Sequence, residues 1–206
     1  MAEALFWLCL FLPFFAYLGY PLLLAVYGFF QRDVRPLVPQ TPPRVSAIVA
    51  AYNEQRHIEA KLYSLLDAAY PREQLQIIIA SDGSNDATVP LARQIAQQHG
   101  QYDIQVLDLP RGGKAAALNS AVAVANGEIL VFSDADTLWS CDTLAQLVAP
   151  FADPRVGAVA GLVSIASSGK ALAIGDKLYR AYESWLRRLE SRTGCMASAD
   201  GGLQAL

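Results

Sequence analysis

Asp134 and Asp136 stand one residue apart, directly after the apolar run at residues 128–133 (EILVFS). Two carboxylates separated by one small residue at a strand end suit a hard divalent cation. Mg2+ and Mn2+ prefer oxygen ligands, and Mg2+ is commonly held by one or two carboxylates plus substrate phosphates. Such an ion neutralises a diphosphate and helps it depart as a leaving group. Taken alone, the same pair reads as a strand-end turn whose aspartates cap the helix after Thr137.

Two further clusters bear on that choice. Asp82 closes a second apolar run, residues 75–80 (LQIIIA), and precedes Gly83-Ser84. A carboxylate here can accept a base N–H or a ribose hydroxyl, and Gly83 lets the backbone approach a ligand closely. The plain alternative is a turn-forming aspartate. Lys114 follows Arg111-Gly112-Gly113 and opens an alanine-rich stretch. A Gly-Gly turn, a cation and a helix start together make an anion site; the alternative is an ordinary surface lysine.

These residues need elements to position them. Residues 45–51 (VSAIVAA) read as a short strand. Residues 54–68 place Ile58, Leu62, Leu65 and Leu66 on one helical face. Strands follow at 75–80, 103–108, 128–133 and 156–163. Helices are expected from Asp86 to His99 and over 114–125 and 141–151. Strands alternating with helices predict an α/β fold with a mainly parallel sheet and helices on both faces. Ligands bind such sheets beyond the carboxyl ends of the strands. Tyr52-Asn53-Glu54, Ser81-Asp82-Gly83-Ser84 and Asp134-Ala135-Asp136 each follow a strand, so all three are predicted to meet at one edge. Residues 170–192 form a last helical stretch, with Ile174, Leu178, Tyr182, Trp185 and Leu189 recurring every three or four residues. It is expected to pack on the sheet, with the membrane surface as the alternative.

Residues 4–30 carry no charge. At about 1.5 Å per residue, roughly 20 residues cross a bilayer core, so this segment is long enough, and Pro13 and Pro21 are tolerated in such a helix. No Lys or Arg precedes it and no small-residue cleavage pattern closes it, which favours an anchor over a cleaved signal. Arg32 and Arg35 follow the span and Glu3 precedes it, so the positive-inside rule puts the C-terminal side in the cytoplasm. The expected location is the cell (inner) membrane, with one N-terminal span. The organisation read from this is an anchor over 1–31, a proline-rich linker over 32–44 and an α/β domain over 45–206.

With 53% hydrophobic and 17% charged residues, the composition argues against disorder. The net charge is -3 and no basic run occurs, which argues against nucleic acid as a partner. Cys9, Cys141 and Cys195 are unclustered and read as reduced, buried or semi-buried thiols.

In this order, IVAAYNEQRHIEAKLYSLL, IIIASDGSNDAT and RGGKAAALNSAVAVANGEILVFSDADT resemble the family 2 glycosyltransferases. The resemblance covers residues 44–165 and continues more weakly to the end. It implies the GT-A fold and transfer of a sugar from a nucleoside diphosphate sugar, with UDP-sugar favoured, to a lipid or saccharide acceptor hydroxyl with inversion. Polysaccharide or glycolipid synthesis is the implied setting. Ala51, Tyr52, Asn53 and Glu54 match the loop around the nucleotide. Asp82 matches the aspartate on the base or ribose, Lys114 a lysine near the diphosphate, and Asp134 and Asp136 the pair that holds Mg2+ or Mn2+. Asp134 also counts among the substrate-binding positions. The family usually has two acidic residues where Ser81-Asp82 stands, which bears on base selectivity.

The resemblance places a catalytic base, often in a Glu-Asp or Asp-Asp motif, well after the paired aspartates. Asp200 is a candidate, but it precedes that position. The base is therefore expected beyond Leu206, and the chain reads as the N-terminal part of a longer enzyme. Two other readings stay open. One is a truncated, inactive nucleotide-sugar-binding or partner protein. The other is a nucleotidyltransferase, against which the Gly-Gly-Lys turn follows the third strand, not the first.

Overall fold

A computed structural model describes residues 1–30, 41–162, 174–194 and 202–206. The chain forms two compact units. One comprises Met1–Val34 with Ser164–Ser198, the other Arg35–Val163 with Ala199–Leu206.

The first unit begins with α1 (Ala2–Phe14), a π-type segment (Phe15–Gly19) and α2 (Tyr20–Phe29). These run on as one helix, Ala2–Phe29, which is long and apolar enough to cross a membrane, with a mean hydropathy of 2.0 over its best 18 residues. The π segment falls between the two prolines. Pro21 has no N–H to return to the Tyr17 carbonyl four residues back, and the Tyr182 hydroxyl donates to that carbonyl at 3.0 Å. Tyr182 lies on a long C-terminal helix, Ile174–Arg192. The Tyr20 hydroxyl donates to Glu190 Oε1 of the same helix at 2.9 Å. Within this unit the long helix packs against α2.

The second unit is a six-stranded sheet. In chain order its elements are β1 (Val45–Ala51), α3 (Ile58–Leu66), β2 (Leu75–Asp82), α4 (Thr88–Gln98), β3 (Asp103–Leu109), α5 (Lys114–Val122), β4 (Ile129–Asp134), α6 (Thr143–Val148), β5 (Val159–Ala160) and β6 (Leu203–Ala205). The long helix between β5 and β6 is α7. The strand order is β3-β2-β1-β4-β6-β5. The first four strands are parallel, and β6 pairs antiparallel with β4 and β5.

Side chains alternate along a strand, and here both faces are apolar. Ala47, Val49, Ile77, Ile79 and Val131 meet Leu62 and Leu65 of α3, Ile95 of α4 and Leu144 of α6. On the opposite face Ile48, Ile78 and Ala80 meet Ala117 and Ala121 of α5. This is the two-sided α/β architecture expected from the sequence.

Several boundaries differ from the sequence reading. α5 stops at Val122 because the chain after it is captured from below. Asn126 N–H donates to Gln76 Oε1 at 3.0 Å, and Gly127 N–H donates to Ser46 Oγ at 2.8 Å. A Cβ on Gly127 would lie 2.3 Å from the Ser46 nitrogen, so only glycine fits this crossing. β5 is two residues long where eight were expected, and it borders Gly161, whose added Cβ would meet Leu203 Cδ2 at 2.5 Å. Cys141 is exposed, not buried, because it lies in the turn before α6. Cys195, residues 32–40 of the linker and Asp200 fall outside the described residues.

Candidate active site

The register sets the geometry of the site. Ala50 pairs with Asp134, Ala51 with Ser81, and Asp82 with Leu109. All four parallel strands therefore end at one edge. A cleft of about 370 Å³ opens there, lined by Ala50, Ala51, Tyr52, Glu54, Asp82, Arg111, Lys114, Asp134, Ala135 and Asp136. The three polar clusters that follow β1, β2 and β4 meet in this cleft, together with the Arg111–Lys114 turn after β3.

Asp82 is nearly buried and heavily bonded. Its Oδ1 accepts the N–H groups of Gly112 at 2.7 Å and Gly113 at 2.9 Å, and its Oδ2 pairs with Arg111 Nη1. The Gly112 N–H, followed by that of Gly113 and the Arg111 charge, holds its carboxyl below the usual carboxylate range despite burial. The turn fits because Gly83 has φ +68°, and a Cβ there would lie 2.8 Å from the Arg111 nitrogen. Arg111 then stacks on Tyr52, its guanidinium carbon 3.5 Å from the ring centroid. Arg111 received no role from its sequence context, although a cation beside Gly-Gly was the available signal.

Asn53 is not among the residues lining the cleft. It has φ 56°, its N–H donates to Ser84 Oγ at 3.1 Å, and its Oδ1 accepts from Asn85 N–H at 2.9 Å. It ties the loop after β1 to the loop after β2. Glu54 lines the cleft, with its carboxylate 2.7 Å from His57 Nδ1 and its N–H donating to Thr88 Oγ1 at 2.8 Å.

Lys114 Nζ pairs with Asp134 Oδ1 at 2.5 Å. Asp134 is half-buried and Asp136 exposed. The helix that follows them starts only at Thr143, preceded by Asp142 at its N-cap. Neither Asp134 nor Asp136 caps it; they stand in the turn that closes β4, where Thr137 N–H donates to the Asp134 carbonyl at 3.2 Å. Two carboxylates form a hard-oxygen donor set, and no cluster of three or more His, Cys, Asp or Glu side chains suited to a metal occurs among the described residues.

Beneath this loop lies a residue that the sequence reading passed over. Lys61 of α3 is fully buried. Its Nζ donates to Ser133 Oγ at 2.7 Å and to the Thr137 carbonyl at 2.5 Å, and it sits 4.6 Å from the centroid of the Trp139 ring. Burial lowers its ammonium from 10.5 to about 7, against the raising influence of Asp134 and Asp136. The signal was present: Ile58, Lys61, Leu62 and Leu65 share one helical stripe, and a lysine inside an apolar stripe needs partners.

Residues 46–196 match the family model for glycosyl transferase family 2. The poly-beta-1,6-N-acetyl-D-glucosamine synthase of Staphylococcus aureus (strain COL) is 29% identical over 187 residues, covering 86% of this chain and 44% of that protein. The Staphylococcus epidermidis protein of the same name is 31% identical over 160 residues, 76% of this chain and 38% of its own length. Among solved structures, the mannosyltransferase PcManGT from Pyrobaculum calidifontis, in complex with GDP-Man and Mn2+, aligns with a TM-score of 0.75 at 35% identity. It covers 93% of this chain and 53% of that one. Staphylococcus aureus TarS 1-349, in complex with UDP-GlcNAc, shares the fold, with a TM-score of 0.52 at 24% identity over 63% of this chain and 37% of that one. The chain spans less than half the length of these curated relatives.

Proposed function

The chain belongs to glycosyl transferase family 2, and from that membership we propose that its cleft binds a nucleoside diphosphate sugar with a divalent cation, and that the whole protein transfers the sugar to an acceptor hydroxyl with inversion. The acceptor oxygen bonds to the anomeric carbon as the bond from that carbon to the diphosphate breaks. The hydroxyl proton passes to a base, and the nucleoside diphosphate departs. The observation that carries this reading is the meeting of Asp82, Lys114, Asp134 and Asp136, from the ends of separate strands, in one cleft.

Each side chain has a part. Asp82, fixed by Gly112 and Gly113, keeps its charge at the nucleoside end, where Tyr52 and Arg111 offer a stacking surface. Lys114 brings positive charge for the diphosphate. Asp134 and Asp136 hold Mg2+ or Mn2+, which when bound supplies charge neutralisation to the leaving group. The acceptor is a lipid or a saccharide and the setting is polysaccharide or glycolipid synthesis; the name of the synthase relatives supports the polysaccharide setting. Residues 2–29 anchor the protein in the cell membrane, with the catalytic unit on the cytoplasmic side, a reading supported by the apolar helix and by Arg32 and Arg35.

The test is calorimetric titration of UDP and of GDP into the full chain in detergent, with and without Mn2+. Binding of one nucleotide that requires Mn2+ is expected, weakened about tenfold or more in Asp136→Ala. Affinity indifferent to Mn2+, no binding by wild type, or an Asp136→Ala chain as tight as wild type sinks the proposal.

A further inference from the structure

The loop bearing Asp134 and Asp136 is fastened on both sides to one nitrogen. Lys61 Nζ donates to the side chain of the residue just before Asp134 and to the carbonyl of the residue just after Asp136. Trp139 closes the arrangement, since its Nε1 donates to the same Ser133 Oγ at 3.1 Å while its ring packs against Lys61. Ser133 in turn faces the Gly202 carbonyl at 3.3 Å. Packing alone does not call for this lysine. Its neighbours on the stripe are Ile58, Leu62 and Leu65, all fully buried, and an apolar side chain of equal length fills the position without desolvating an amine.

We propose that Lys61 is a positioning residue: it fixes the spacing of the Asp134–Asp136 loop and thereby sets the affinity of the site for the divalent cation that accompanies the nucleotide. This rests on the donor-site reading above. The ion binds only as well as its two carboxylates are held apart at the correct spacing, and groups that orient metal ligands typically contribute 10–100-fold in affinity. A lysine acting merely as a nearby positive charge has the opposite sign, because removing it relieves repulsion and tightens cation binding. The two roles therefore separate cleanly.

The experiment measures Mn2+ affinity directly, by electron paramagnetic resonance of free Mn2+, with the full chain in detergent and saturating nucleotide. Lys61→Met keeps the length and removes the donors. Ser133→Ala keeps the lysine and its charge but removes one anchor. Positioning predicts about tenfold weaker Mn2+ binding in both, with the Trp139 fluorescence maximum shifted as its Nε1 loses its Ser133 partner in Ser133→Ala. A Ser133→Ala chain with wild-type Mn2+ affinity, or a folded Lys61→Met chain that binds Mn2+ equally well or more tightly, overturns the proposal while leaving the donor site standing. Failure of the wild type to bind Mn2+ with either nucleotide removes the donor-site reading itself, and the role of Lys61 with it.

Discussion

Gly127→Ala tests how the sheet delivers Asp134 to the cleft. The new Cβ would sit 2.3 Å from the Ser46 nitrogen, 2.6 Å from the Val45 carbonyl carbon and 2.9 Å from Ser46 Oγ. Comfortable non-bonded separations begin near 3.5 Å, so the chain must retreat by roughly 1 Å. The crowding atoms are strand backbone, which has little freedom to yield. Retreat stretches two bonds made by this segment, Gly127 N–H to Ser46 Oγ at 2.8 Å and Glu128 N–H to the Arg44 carbonyl at 2.7 Å. Two such bonds are worth about 1 kcal/mol each, and overpacking adds about 1–3 kcal/mol. A loss of roughly 3–5 kcal/mol lowers Tm by about 6–20 °C for a chain of this size.

Thermal unfolding of the full chain in detergent, followed by tryptophan fluorescence, reads this out. Gly157→Ala is the control, because an added Cβ there meets nothing within 4 Å. The control should melt within about 2 °C of wild type. A Gly127→Ala chain that does the same refutes the steric reasoning, and with it the claim that only glycine fits this crossing.

Two pH-linked predictions concern the cleft. In Asp82→Asn the amide oxygen can keep the Gly112 and Gly113 N–H groups, but its NH2 meets the Arg111 donors. Arg111 should leave Tyr52, and nucleotide affinity should fall about tenfold, as expected when a charge-assisted bond is lost. Because the Asp82 carboxyl is held below its ordinary value, its contribution to stability is complete above about pH 4 and is lost as pH falls through the depressed folded value. The urea midpoints of wild type and Asp82→Asn should converge on acidification; a constant gap down to the lowest pH counts against the assignment. Lys61 gives the second. Between its folded value of about 7 and its unfolded value of 10.5, the unfolded chain holds a proton that the native chain has released, so stability rises with pH across that window. Below pH 7 this contribution is gone. The slope is at most about 1.4 kcal/mol per pH unit, and it should vanish from denaturation midpoints of Lys61→Met between pH 7 and 9.

The parallel half of the sheet was legible because β1, β2 and β4 are short, mostly apolar runs closed by polar turns, and those turns carry the chemistry. The pattern around LQIIIA-Ser81-Asp82-Gly83 gives both the strand and the residue at its tip. The antiparallel edge was not legible. β6 is three residues long, with only Leu203 and Ala205 turned inward, and its partner β4 lies about seventy residues earlier. No local periodicity can signal such a pairing. Lys61 was missed for a different reason. Its position on the apolar stripe was readable, but its residue type suggested solvent, and the partners that make its burial tolerable come from β4 and the loop after it.

The two ends of the parallel sheet divide the labour. At the amino end, buried Ser46 and Gln76 bond to each other at 2.6 Å and to the backbone entering β4. At the carboxyl end, β2 and β4 finish in Asp82 and Asp134, which line the cleft with Ala50 and Ala51 of β1. Alternation connects the two, since a strand that slips by one residue exchanges its faces completely. Such a slip in β4 would bring Asp134 to the buried place of Ser133, beside Lys61 and Trp139, and Ser133 to the place of Phe132 on the opposite face, taking the Asp134 carboxylate out of the cleft and breaking the bonds that Ser133 Oγ now accepts. The bonds beneath Gly127 and those around Ser133 therefore oppose the same error from opposite ends of a six-residue strand. The residues of Asp134-Ala135-Asp136 are common, but the register that presents them to the cleft is held at both ends of β4.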